Sequence, residues 1–261
     1  MLSITMAGSS PTLNNPPIVE AVVDIECDLP PTFDLAGLEA AARTSFGTAY
    51  PVTKPQFVQS LQIEAGAAGT LDVSTKVSTQ HGLQALQFLS SDEKQLVQLR
   101  AQGFSFNRLA PYSNLDDYLV EIERTWKLFL ELAHPIQIRR VHLRYINRIL
   151  LPLVAGRVEL DDYLKQGPRL PDEDKLAFAG FLYQYSVVET SSRHQVNVTL
   201  AAQPSESNSL PIIFDIQTTS TEPGEPGDWA QLEAKIRSLR SLKNMVFFNS
   251  LSEKCLSLFQ Q

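Results

Sequence analysis

The chain has 261 residues, with 22 Lys and Arg against 29 Asp and Glu, a formal net charge of -7 and 43% hydrophobic residues. That acidic balance disfavours a general nucleic-acid binder, whose affinity comes from neutralising phosphates. No stretch approaches the ~20 apolar residues that a membrane span requires. Two cysteines, Cys27 and Cys255, make neither a metal-ligand spacing nor a disulfide framework, which points to a reducing, cytoplasmic setting.

In chain order, residues 1–15 read as a disordered lead without the basic and apolar regions of a signal peptide. "PPIVEAVVDIECDLPP" then alternates with period two. Val19, Ala21, Val23, Ile25 and Cys27 fall on one face, and Glu20, Val22, Asp24, Glu26 and Asp28 on the other. This predicts a strand with an apolar face and an acidic one. "FDLAGLEAAARTSFGTAYP" predicts a helix capped by Asp34. Four strand candidates follow: "FVQSLQIEAG", "TLDVSTKVSTQ", "GLQALQFLSSD" and "KQLVQLRAQGFSFNRL". "SNLDDYLVEIERTWKLFLELAHP" is a helix with Ser113 as its cap. Leu115, Leu119, Ile122, Trp126, Phe129 and Leu130 form its stripe, and Pro135 ends it.

The second half opens on "RRVHLRYINRI", Arg139 to Ile149. Arg139, Val141, Leu143, Tyr145, Asn147 and Ile149 make a mostly apolar set. Arg140, His142, Arg144, Ile146 and Arg148 make a cationic one. A helical turn at "LDDYLKQG" precedes three strand candidates: "KLAFAGFLYQYSVVET", "HQVNVTLAAQ" and "LPIIFDIQTTST". Asp228 and Gln231 then start a long helix striped by Trp229, Leu232, Ile236, Leu239, Met245, Phe248 and Leu251. Strand, helix, several strands and helix thus occur twice, and "LDDYL" recurs at 115–119 and 160–164. The expected fold is α+β, in two similar halves at 16–135 and 136–261, each an antiparallel sheet on one long helix, with pseudo-duplication left open.

The cationic row admits three readings. Its arginines can pair with Glu20, Asp24 and Glu26 if the two leading strands are neighbours. Alternatively, Arg140, Arg144, Arg148 and His142 bind an acidic partner or a phosphate-bearing ligand, because arginine's planar fork matches carboxylate and phosphate oxygens. Arg140 to Arg148 would span about 13 Å at ~3.3 Å per residue. A nucleic-acid groove is the weakest reading, because aromatic interleaving is thin.

Other chemistry is not legible. His81, His134, His142 and His194 are scattered, and there is no phosphate-cradling glycine loop or nucleophile elbow. The carboxylate pairs Asp116 with Asp117 and Asp161 with Asp162 read as first-turn charges favoured by the helix dipole. No catalytic residue, metal or cofactor is assigned. The long C-terminal helix is expected to pack across the second sheet; alternatively its apolar last turns, "FFNSLSEKCLSLF", dock on another chain, which would give a homo-oligomer.

"NPPIVEAVVDI", "FNRLAPY", "RRVHLRYINRI" and "NMVFFNSLSEK" together resemble a sporadically distributed family of bacterial proteins without an assigned function. The resemblance runs from about Asn15 to the C-terminal helix. Its motifs match Glu20 on the leading strand and Arg144, Tyr145, Asn147 and Arg148 on the arginine strand. It implies an accessory role in defence or beside a toxin. The expectation is therefore a non-catalytic binding protein, an immunity-type partner of a neighbouring effector. The alternative is a sensor or enzyme that holds a nucleotide or phosphate on the arginine strand.

Overall fold

A computed structural model describes residues 13–64, 76–172, 175, 176 and 178–260. Among these, nine strands form one continuous antiparallel sheet, where the sequence suggested a separate sheet in each half. The strands are β1 (Ile18–Asp28), β2 (Val52–Glu64), β3 (Lys76–Leu89), β4 (Gln95–Arg100), β5 (Gly103–Leu109), β6 (Gln137–Pro152), β7 (Leu182–Val188), β8 (Gln195–Ala202) and β9 (Ser209–Ser220). Their order across the sheet is β2-β3-β4-β5-β1-β6-β9-β8-β7. The helices are α1 (Glu39–Phe46), α2 (Asp116–Ala133), α3 (Trp229–Ser250) and α4 (Glu253–Ser257).

Several elements differ from the sequence reading. The two candidates around residues 70–92 merge into β3, and residues 70–75 lie outside the described set. "KQLVQLRAQGFSFNRL" divides into β4 and β5, because the chain reverses before Gly103. Gly103 has a φ of +142°, and a Cβ there would lie 2.0 Å from the Ile25 carbonyl oxygen. Only glycine fits so close to β1. The candidate "KLAFAGFLYQYSVVET" contracts to the seven residues of β7.

The caps differ too. The Asp34 carboxylate accepts from the Ala36 and Gly37 amides and makes a turn, and α1 starts only at Glu39. Asn114, not Ser113, caps α2 by accepting from the Asp117 amide at 3.2 Å. Asp228 does cap α3, accepting from the Gln231 amide at 3.0 Å. Residues 1–12 of the expected lead lie outside the described set. Its last three residues are tied down: Leu13 packs on the core, and Asn15 donates its amide to the Phe259 carbonyl at 3.0 Å.

The buried apolar alternates, Ala85 of β3 excepted, point to the face carrying α1, α2 and α3, and form two clusters. The first joins Val23, Ile25, Phe104, Val141 and Leu143 to Phe46, Trp126, Phe129 and the Leu232–Leu239 part of α3. Trp126 is fully buried, stacks on Phe129 at 5.3 Å and donates its indole N–H to the Pro226 carbonyl at 3.0 Å. The second joins Ile149, Leu151, Val198, Phe214 and Ile216 to Phe247, Leu251, Cys255 and Phe259. One long helix therefore spans both clusters. Its stripe runs through Leu242 and Phe247, while Met245 is 47% exposed. The apolar C-terminal end that suggested a second chain is buried on this chain's own sheet: Leu251 and Cys255 are fully covered, and Phe259 nearly so.

Candidate functional site

β1 and β6 lie side by side at the centre of the sheet, with Val22 opposite Arg144, Asp24 opposite His142 and Glu26 opposite Arg140. A register shift between Glu26 and Cys27 breaks the alternation at the start of β6. It buries Ile138 and leaves both Arg139 and Arg140 exposed, so Arg139 does not belong to the apolar set. Beyond it the alternation holds. Leu143, Tyr145 and Asn147 are buried on the helical side, and His142, Arg144 and Arg148 stand on the opposite face. That face holds a solvent-open depression of about 440 Å³ over β1 to β6 and β9.

Both the acid and the cation rows meet there. Arg144 grips Asp215 on β9 through Nε (2.9 and 3.0 Å) and Nη2 (2.5 Å). These bonds hold the Arg144 guanidinium above its ordinary pKa. Arg148 reaches Glu206 at 2.6 Å, and its Nε donates to Gln203 at 3.2 Å. Arg140 lies 3.4 Å from Glu26, and Arg139 lies 3.2 Å from Asp28. Asp24 pairs with Arg100 of β4, a residue absent from the sequence-level candidates. The arginine strand is thus answered by acids on β1, on β9 and in the loop before β9.

His142 links the two rows. Its Nε2 is 3.1 Å from Glu26 and its Nδ1 is 2.8 Å from the Thr219 hydroxyl. The Gln217 amide nitrogen, 3.2 Å from Nδ1, is a donor. Nδ1 is therefore the acceptor, and Nε2–H donates to Glu26. Glu20 has a different environment: its Oε1 accepts from the Asn107 amide at 2.6 Å. Asn107 accepts from Gln98 at 3.2 Å, and the Gln87 amide nitrogen lies 3.0 Å from Gln98 Oε1 and 3.1 Å from Gln56 Oε1. This ladder runs Gln56, Gln87, Gln98, Asn107, Glu20, one side chain on each of five adjacent strands. The sequence offered one signal for it, a polar residue at alternate positions of each strand, but no means of aligning the strands.

The helical face holds a second unusual group. Lys243 of α3 is 7% exposed, and its Nζ lies 3.9 Å from the centre of the Tyr145 ring. The Tyr145 and Tyr112 hydroxyls are 2.7 Å apart. Burial, with Arg240 adding repulsion, pushes Lys243 down to about 7, and burial pushes Tyr145 up to about 12. Sequence reasoning missed Lys243. Its spacing of four from both Leu239 and Phe247 was the available signal.

The remaining candidates separate. Asp116 bridges to Arg237 and Arg240 and ties α2 to α3, which holds its carboxyl below the usual range. Asp161 pairs with Arg169 and Asp162 with Lys254. His134 ends α2 in a left-handed conformation, and His194 is buried beside β8. The side chain of His81 lies outside the described residues. Among the described residues no cluster of His, Cys, Asp or Glu is placed to hold a metal ion, and no helix is long and apolar enough to cross a membrane. Compared with models of known protein families and with curated proteins, the chain matches none.

Proposed function

We propose that this chain is a non-catalytic binding protein whose open sheet face receives a protein partner. The observation that carries the reading is the centre of the sheet, left open among the described residues. A wide polar depression there is lined by Glu20, Asp24, Glu26, Gln98, Arg100, Asn107, His142 and Arg144. Groups of both signs and several amides stand in fixed geometry on rigid strands, which suits recognition of a mixed polar surface. Sensing of a nucleotide or free phosphate through Arg140, Arg144 and Arg148 is the weaker reading. Each of these arginines already faces a carboxylate, whose negative charge an anion would have to overcome or displace.

The resemblance to a sporadic bacterial family supports an accessory or immunity-type role beside an effector, in defence or next to a toxin. The two buried thiols, Cys27 and Cys255, suit a reducing cytoplasm. The strand order supports reading the chain as two like halves. β1 and β6, the first strand of each run, are central neighbours, and each lies beside the last strand of its own run, β5 or β9.

Native mass spectrometry of the chain co-expressed with its neighbouring genes tests the proposal. A complex tens of kilodaltons heavier, lost in Arg144→Glu while the melting temperature stays within a few degrees, is the expected result. Binding unchanged in that variant, or a bound mass of only a few hundred daltons, overturns it.

A further inference from the structure

We infer that β7 is a self-complementary edge through which two copies of this chain join their sheets into one. β7 is the last strand in the sheet order, and among the described residues only β8 pairs with it. No backbone hydrogen bond outside that ladder involves Tyr183–Val188 among the described residues. Among the described residues the outer row of amides and carbonyls is therefore open, and such a row is a template for another strand.

The composition of the edge selects the occupant. Natural edges are guarded by lysine, proline or inward charge. At the opposite edge, β2 carries Lys54 and Pro55, and both are exposed. β7 reads Leu-Tyr-Gln-Tyr-Ser-Val-Val and has no charge and no proline. Three of its apolar side chains face solvent: Leu182 is 70% exposed, Val187 48% and Val188 47%.

Antiparallel pairing about a twofold axis at Tyr185 sets Leu182 opposite Val188 of the second copy, Tyr183 opposite Val187, Gln184 opposite Ser186 and Tyr185 opposite itself. Apolar meets apolar, polar meets polar, and no like charges oppose one another. These are the pair types that stabilise sheets. Tyr183 and Tyr185 lean on the second core cluster, so Leu182, Gln184, Ser186 and Val188 share the other face. The exposed apolar ends of that face are thus covered by each other. A twofold pairing uses the open edge of both chains, so assembly stops at two.

Two double variants on the exposed face test this. Q184K/S186K sets like charges opposite each other twice across the twofold. Q184K/S186E sets opposite charges there twice. Sedimentation velocity of the wild type is expected to give twice the 29.0 kDa chain mass. Q184K/S186K should weaken the dimer roughly tenfold or more, and Q184K/S186E should restore it. Equal thermal melts of the two variants would exclude misfolding as the cause. A wild type that stays monomeric as concentration rises overturns the inference, and so does a dimer that Q184K/S186K leaves intact.

Discussion

The two faces of the central sheet are built from the same strands and do opposite work. On the helical side every alternate residue of β1 and β6 from Ala21 to Cys27 and from Val141 to Ile149 is buried, mostly against other apolar groups. On the open side the intervening residues of the same strands, apart from Val22 and Ile146, are charged or polar and form pairs across strands. The first face carries the fold: burying a large apolar side chain is worth roughly 1.5–3 kcal/mol. The second carries little of it, since pairs exposed to water are worth about 0–1 kcal/mol each. Such a face can be tuned for recognition at little cost to stability. Lys243 departs from this division as a cation buried on the apolar side, and so does Lys235 of the same helix, whose Nζ donates to the Glu222 carbonyl.

Substitutions can sharpen this contrast. Trp126→Ala empties the first core cluster and removes the donor to Pro226. It should cost about 3–5 kcal/mol in urea unfolding, with no route to compensation by salt. Lys243→Met should act in the other direction. In the fold Lys243 releases its proton near 7, against 10.5 for an ordinary lysine. Between these values the unfolded chain binds more protons, so wild-type stability contributed by this group rises with pH. The clean window is about 7 to 9, because above 9 the unfolded thiols of Cys27 and Cys255 ionise while the buried ones, raised to about 12, do not. That second effect lowers stability as pH climbs further. Lys243→Met should stabilise by about 1–2 kcal/mol below pH ~7 and lose most of that advantage by pH ~9, read by thermal melts across the range. The smallest effect on stability belongs to Arg144→Ala. Its pair with Asp215 is partly exposed, so the loss should stay below about 1 kcal/mol and shrink in salt. A loss above about 2 kcal/mol would mean that the open face also holds the fold together.

Much of this architecture was legible in the residues. Period-two alternation marked β1 and the arginine strand, and the Asp228 cap marked the start of α3. The stripe from Leu119 to Phe129 placed α2 against the core. The failures have local causes. Asp34 and Ser113 are good caps in isolation, but one carboxylate was taken by a tighter turn and Asn114 stood closer to the first free amide of its helix. Met245 and Phe247 are both apolar at plausible spacing, and only the path of α3 across two clusters decided which one is buried.

For the candidate site the sequence determined the chemistry of each row: acids on alternate positions of the first strand, arginines and a histidine on alternate positions of the sixth. The two-residue period of a strand dictates that, whatever lies next to it. Which acid answers which arginine was decided only by tertiary structure. Glu26 meets Arg140 and His142 because β1 and β6 are neighbours, but Arg144 goes to Asp215 and Asp24 to Arg100, partners supplied by β9 and β4. Strand order and register come from burying the apolar faces against α2 and α3 and from closing the backbone ladders. Those terms sum over the whole sheet, so no single strand's sequence contains them.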